Sequence, residues 1–131
     1  MSLKLREVEV FKPYANETPE ELLWAEDMLE EEVAIWLSAE MLRVAKLGNE
    51  VLGVYALDRG DGTTYELRGV IIARSWRRQG LGRWLVGHAL GVAESKGARH
   101  ILFPSDRARR FFTRIGFSSQ AHGQRFDLIP E

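Results

Sequence analysis

The sequence predicts an α+β domain, a mixed and mostly antiparallel sheet flanked by helices. Three observations carry this. Three apolar runs, Met41–Leu47, Val51–Leu57 and Thr64–Ala73, follow one another with only tight-turn residues between them, the pattern of an antiparallel meander. After Trp76 the pattern becomes helical, with Leu81, Leu85, Ala89 and Val92 recurring on one face. A short apolar strand, His100–Phe103, then follows. The strand–helix–strand unit from Thr64 to Phe103 should add a parallel, right-handed crossover to the meander.

The elements are justified in order. Leu3–Phe11 alternates and reads as a first strand. Thr18-Pro19-Glu20-Glu21 is a helix start: Thr18 can cap, Pro19 suits the first turn, and Glu21 completes a capping box. That helix is expected from Pro19 to about Glu32, with Leu22, Ala25, Met28 and Leu29 inward. A second short helix or turn is expected near Val33–Ser38. Gly48-Asn49 supplies a hairpin turn, and Arg59-Gly60-Asp61-Gly62 a second one. Lys96-Gly97 ends the long helix. Ser105 or Asp106 caps a further helix over Arg107–Ile115, which Gly116-Phe117 closes. Gln124–Ile129 is a terminal strand. The predicted order is β-α-(α)-βββ-α-β-α-β.

The 131 residues read as one domain, 1–131, with no repeat or linker. The chain has no Cys, which excludes disulfides, thiolate zinc, Fe–S clusters and a cysteine nucleophile. No apolar run approaches a membrane span of about 20 residues, and the N-terminus lacks a signal-peptide core. A cytoplasmic location is therefore expected, with no membrane partner. The net charge is −1, but it is unevenly spread. Residues 1–66 hold 15 acids and 6 bases, a net of −9; residues 67–131 hold 4 acids and 12 bases, a net of +8. The near-neutral total argues against nucleic-acid binding. His88, His100 and His122 show no metal-ligand spacing, so no metal is expected.

The informative segment is Arg77-Arg78-Gln79-Gly80-Leu81-Gly82-Arg83, between an apolar strand and a helix. A helix N-terminus leaves N–H groups unpaired and carries partial positive charge. Glycines let a phosphate approach the backbone, and arginines add charge. Together these describe a pyrophosphate cradle. A P-loop would need Gly-Lys-Ser/Thr, which is absent. A dinucleotide fingerprint would need a third glycine where Leu85 stands.

Arg77-x-x-Gly80-x-Gly82 resembles the Gln/Arg-x-x-Gly-x-Gly/Ala acyl-CoA loop of the GCN5-related N-acetyltransferase (GNAT) superfamily. Glu66–Ala73 is similar to that family's fourth strand, Leu85–Gly97 to its third helix, and Ala108-x-x-Phe111-Phe112-x-x-x-Gly116-Phe117 to its late signature. The matches run in family order over roughly 64–117. Residues 12–40 match no motif.

The resemblance implies the acyl-CoA N-acyltransferase fold and acetyl transfer from acetyl-CoA to an amine by direct attack. It implies that the backbone from Arg78 to Arg83, entered through Arg77, grips the CoA pyrophosphate. The main chain at Val70, Ile71 and Ile72 would pair with the pantetheine arm, and the Val70 N–H would serve as oxyanion donor. Gly69, unfavourable inside a strand, suggests a bulge or close approach there. Glu66 lies eleven residues before Arg77, the spacing of the catalytic glutamate in the family's histone acetyltransferase branch. The resemblance therefore makes it the general base; otherwise it is a solvent-facing strand residue. Two positions depart from the family. Phe112 stands where a Tyr often protonates the leaving thiolate, and Ser105 stands where Asn is common, although Ser105 could bond the pantetheine arm. Tyr65 should face away from Glu66.

Arg107, Arg109, Arg110 and Arg114 read either as an exposed helix face or as contacts to the CoA 3′-phosphate. Trp76 and Trp84 read as packing rather than adenine stacking, and Trp24 and Trp36 as core or acceptor wall. Glu26, Asp27 and Glu30–Glu32 are either a solvated acidic face or a rim for a cationic acceptor such as a polyamine or basic peptide. The acceptor is expected to be a small-molecule or peptidyl amine, and the resemblance leaves room for a homodimer. The competing reading, supported by Phe112, is an acetyl-CoA-binding regulator of a protein partner.

Overall fold

The computed structural model describes residues 3–14, 19–26 and 28–128. Among these lie strands β1 (Glu9–Phe11), β2 (Met41–Leu47), β3 (Glu50–Arg59), β4 (Thr64–Ile72), β5 (His100–Phe103), β6 (Ser118–Ser119) and β7 (Gln124–Asp127). The helices are α1 (Glu20–Trp24), α2 (Glu30–Leu37), α3 (Leu81–Ser95) and α4 (Arg109–Ile115). The seven strands form one sheet in the order β1-β2-β3-β4-β5-β7-β6. β1 to β4 are antiparallel, β4 and β5 are parallel, and β7 is antiparallel to both β5 and β6. The mixed sheet and the β4–α3–β5 crossover match the sequence expectation.

The two faces of the sheet carry separate cores because side chains alternate along each strand. One face packs Leu52, Tyr55, Leu57, Tyr65 and Leu67 against Leu81, Leu85, Val86, Ala89 and Ala93 of α3. The other packs Val44, Val54 and Ala56 against Leu23 of α1 and Val33 and Trp36 of α2. The long helix ends as expected at Gly97. The Ala98 N–H reaches the Ala93 carbonyl and the Gly97 N–H the Glu94 carbonyl, both at 3.0 Å, which satisfies two terminal acceptors.

Three expectations are corrected. The N-terminal strand is not continuous over Leu3–Phe11: Leu5–Glu7 form a 3-10 turn, and only Glu9–Phe11 pair with β2. The inward residues are Leu3, Leu5, Val8 and Val10, and the three-residue step from Leu5 to Val8 needs a turn, not alternation. The Val8 N–H closes it on the Leu5 carbonyl at 3.0 Å.

The helix expected from Pro19 to Glu32 is two helices. Leu23 is fully buried, whereas Leu29 is 65% exposed and Ala25 is exposed. Breaking the helix lets Leu23, Val33 and Trp36 converge on one patch of sheet. Glu32 supports the restart by accepting from the Leu29 N–H at 3.4 Å. Thr18, the expected cap, lies outside the described residues.

The last helix begins at Arg109, not Arg107, and neither Ser105 nor Asp106 caps it with a side-chain bond. Ser105 Oγ accepts from the Arg107 N–H at 3.1 Å, and the Asp106 carboxylate is held by Arg109. The short β6 had no apolar alternation to announce it, and the expected strand end at Ile129 lies outside the described residues.

Beneath α3 the Tyr55 hydroxyl lies 2.9 Å from His88 Nδ1. Burial pushes the Tyr55 phenol up to about 12, with Arg43 opposing. Burial, then Arg43, holds the His88 imidazole below its ordinary value. The imidazole thus contributes stability that is present above its unfolded pKa of about 6.5 and is lost as pH falls through the folded value. The phenol acts oppositely: its contribution is present below about pH 10 and is lost as pH rises toward 12. The stability advantage of the wild type over His88→Gln should shrink between about pH 7 and pH 5. Thermal melts across that range would show it, and a constant gap would exclude the His88 contribution.

Candidate active site

The site begins with a register change in β4. Ala56 of β3 pairs with Gly69 but Leu57 pairs with Leu67, so Arg68 is an extra residue in β4. A bulge of this kind bends and twists its strand. Gly69 is required there, because a Cβ at this position would lie 2.8 Å from Trp36 Cζ2. On the other side, β4 pairs with β5 only from Thr64↔His100 to Glu66↔Leu102. β5 ends at Phe103, and Pro104 follows with no N–H to offer. The remainder of β4 therefore has an open edge.

Alternation decides which groups line that edge. The Ala73 N–H donates to the Leu52 carbonyl of β3 at 2.8 Å. Residues 71 and 69 turn the same way, which leaves the main-chain groups of Val70 and Ile72 facing the open side. Ile71 sends its side chain to the α1–α2 core. The Ile72 carbonyl already accepts from Arg77 Nε at 2.9 Å.

The open edge leads to the loop before α3. Arg78 (φ +65°) and Gly80 (φ +81°) both adopt left-handed backbone. For Gly80 this costs little, since it has no Cβ. The helix ladder starts with the Trp84 N–H on the Gly80 carbonyl at 3.1 Å, so the N–H groups of Leu81, Gly82 and Arg83 stand ahead of it. α3 has 15 residues, enough for a full terminal dipole. Arg78 and Arg83 are exposed beside these groups. Gln79 is used internally, its Oε1 accepting from the Leu3 N–H at 2.6 Å. Arg77 is also engaged, pairing with Glu26 just beyond α1.

At the other end of the open edge is a cavity of about 670 Å³. Val70, Ser105 and Phe112 line it, as do Trp36 and two carboxylates, Glu26 and Glu32. Phe112 is buried among Phe103 at 4.4 Å and Phe111 and Phe117 at 5.0 Å. The structure thus brings Val70, Ile71, Ser105 and Phe112 to one cavity and sets the loop from Arg77 to Arg83 at the far end of the β4 edge.

Glu66 is not on the cavity wall. Its carboxylate pairs with Arg68 at 3.0 Å, and Arg68 in turn holds Asp58 at 2.9 Å. Tyr65 faces the opposite, α3-side core, as expected. Sequence reasoning did not place Arg68 in the site, and it did not pair Arg77, a predicted loop contact, with Glu26. The acidic run that reads either as a solvated face or as a rim for a cationic acceptor is divided in the structure: Glu26 and Glu32 line the cavity, whereas Glu30 and Glu31, in the same helix as Glu32, are exposed, and Asp27 lies outside the described residues.

The sequence model of the acetyltransferase (GNAT) family matches residues 5–117. This chain belongs to the GNAT acetyltransferase family. Similar solved structures include a GNAT family acetyltransferase from Elizabethkingia anophelis with acetyl-CoA bound, at 24% identity over 87% of this chain and 78% of that one, with a TM-score of 0.76. An acetyltransferase from Bacillus subtilis in complex with CoA matches at 22% identity over 94% of this chain and 99% of that one, with a TM-score of 0.73. N-acetylglutamate synthase from Neisseria gonorrhoeae, complexed with coenzyme A and N-acetyl-glutamate, matches at 14% identity over 94% of this chain but 35% of that one, with a TM-score of 0.80. At these identities the likeness is one of fold. No curated protein matches the chain in sequence.

The bulge supplies a direct test of this geometry. Gly69→Val puts side-chain atoms into the space held by the Trp36 indole and should cost about 1–3 kcal/mol by overpacking. Urea denaturation followed by tryptophan fluorescence would measure it. A variant of unchanged stability and spectrum would mean that Trp36 does not constrain the bulge.

Proposed function

We propose that this GNAT acetyltransferase moves an acetyl group from acetyl-CoA to a primary amine by direct attack within a ternary complex, in the cytoplasm. The observation that carries the reading is the open β4 edge, running from the pre-α3 loop to the cavity at Val70. Its parts suit the donor. N–H groups at the start of α3, flanked by Arg78 and Arg83, suit a pyrophosphate. The outward main chain of Val70 and Ile72 suits the amides of a pantetheine arm, added as a strand would be. Acetyl-CoA supplies the acetyl group as an activated thioester.

The roles of this chain's groups follow from charge. The Val70 N–H is assigned to the negative charge that develops on the thioester oxygen. The attacking amine must shed a proton, and we assign its removal to Glu66, acting through water from the point where β4 and β5 part. A second assignment, Glu32, is favoured by one observation: Glu32 lines the cavity, whereas Glu66 is held by Arg68 off its wall. Phe112 has no proton to give. The departing thiolate, with a thiol pKa of about 8–9, can take its proton from water instead. Ser105 lines the same wall and suits a polar contact with the arm. With no Cys in the chain, a thiol acyl-enzyme has no place in this scheme.

Release of free thiol from acetyl-CoA in the presence of an amine panel tests the activity. Glu66→Gln should lower kcat by about a hundredfold or more if Glu66 is the base, with the Kd of acetyl-CoA unchanged. The same loss in Glu32→Gln, with Glu66→Gln near wild type, would move the role to Glu32. Arg78→Gln with Arg83→Gln should weaken acetyl-CoA binding and flatten its salt dependence. Calorimetry at low and high salt would read this, and unaltered binding would remove the loop from the site.

A further inference from the structure

The acceptor can be narrowed from the charges on the cavity wall, an inference that rests on reading the cavity as the acceptor site. Four charged side chains line the wall: Glu26, Glu32, Arg68 and Arg107. Two of them are already matched. Glu26 pairs with Arg77, and Arg68 is held by Asp58 and Glu66. Their fields are largely cancelled locally, so neither asks for a ligand charge.

The other two are not matched. Among the described residues, the Glu32 carboxylate has only the 3.4 Å contact from the Leu29 N–H. The Arg107 guanidinium has no ion-pair or hydrogen-bond partner among the described residues; the bond to Ser105 uses its main-chain N–H. Glu32 comes from α2, whose buried residues pack on one face of the sheet. Arg107 comes from the segment between β5 and α4, and α4 packs Phe112 into the core on the other face. The wall also carries Met28, Ile35 and Trp36, all apolar. The acidic surplus of the N-terminal half does not accumulate here, because Glu30 and Glu31 are exposed and are not part of the wall.

We propose that the acceptor is a zwitterionic amine with an apolar body, a free α-amino acid with an apolar side chain, rather than a polyamine. Its ammonium sits at Glu32, its carboxylate at Arg107, and its side chain against Met28, Ile35 and Trp36. The reaction is balanced by the groups already named. The ammonium gives one proton to the base, the amine nitrogen bonds to the acetyl carbon, the carbon–sulfur bond breaks, and the second proton on the acylated nitrogen passes through water to the departing thiolate, so that CoA is released as the free thiol. Anchoring by Glu32 is compatible with either assignment of that base.

The test compares matched acceptors in the thiol-release assay: L-leucine, L-methionine and L-phenylalanine, their decarboxylated amines, their carboxamides, and spermidine. The amino acids should exceed the decarboxylated amines and the carboxamides in kcat/KM by about tenfold or more, since each loses a charge-assisted contact. Arg107→Gln should raise KM for an amino acid by a similar factor while leaving KM for its decarboxylated amine, and KM for acetyl-CoA, unchanged. Glu32→Gln should raise KM for both amines. Preference for spermidine or for the decarboxylated amines would overturn the inference, as would an equal effect of Arg107→Gln on both acceptors. So would an Arg107→Gln effect confined to acetyl-CoA. Acetyl-CoA binding, followed by calorimetry without acceptor, separates the two levels. If acetyl-CoA binds but amino acids are not acetylated, only the acceptor assignment fails; if acetyl-CoA does not bind, the reading of the site fails with it.

Discussion

Trp36 packs against the backbone of Gly69, at a distance that leaves no room for a Cβ. That contact sits beside the extra residue of the β4 bulge, and the functional geometry depends on it. A regular β4 would present one continuous edge to β5 and close the sheet. The bulge redirects β4 just beyond Glu66↔Leu102, its last pair with β5. The Val70 main-chain groups and the Ile72 N–H are then left off the ladders to β3 and β5, while the Ile72 carbonyl is held by Arg77 Nε. A sheet normally satisfies such groups by its own ladder, so their exposure is a cost that a bound extended arm would remove. The same indole forms part of the cavity wall, so one residue both shapes the opening and faces what enters it.

The charge asymmetry of the chain takes a specific form in the fold. The basic half supplies the loop and the arginines around the start of α3; the acidic half supplies α1, α2 and the β2–β3 hairpin. The halves meet in two ion-paired clusters, Glu26 with Arg77 and Arg68 with Asp58 and Glu66. Solvent-accessible pairs of this kind, partly exposed here, add little stability, roughly 0–1 kcal/mol each. Their larger effect is on position. Glu26–Arg77 links the end of α1 to the start of the loop, and Arg68 fixes the carboxylates at the bulge. Both leave fewer unmatched charges near the cavity than a count along the sequence suggests.

Much of this was legible before folding. The meander, the 3.6-residue periodicity of α3 and the limits of β5 follow from local pattern, because alternation and helical spacing report which face is buried. Gly80, read as a loop glycine at the start of a helix, does adopt left-handed backbone there. Gly69 was suspicious as a glycine inside a strand. What pattern did not yield was the break between α1 and α2. Leu22, Leu23, Met28 and Leu29 suit one amphipathic helix as well as two short ones, and only the sheet surface beneath them selects Leu23 and leaves Leu29 outside. Leu5 and Val8 pose the same problem at the N-terminus.

The sequence by itself determined the family and the order of the main elements, since each is encoded in residues close together along the chain. The tertiary structure alone decided which carboxylates face the cavity, which arginines are already matched, and that Glu66 is held by Arg68 rather than projecting into the cavity. The physical reason is range. Backbone preferences act over a few residues, whereas an ion pair such as Glu26–Arg77 joins groups 51 positions apart, which only the packing of α1 against the sheet brings together.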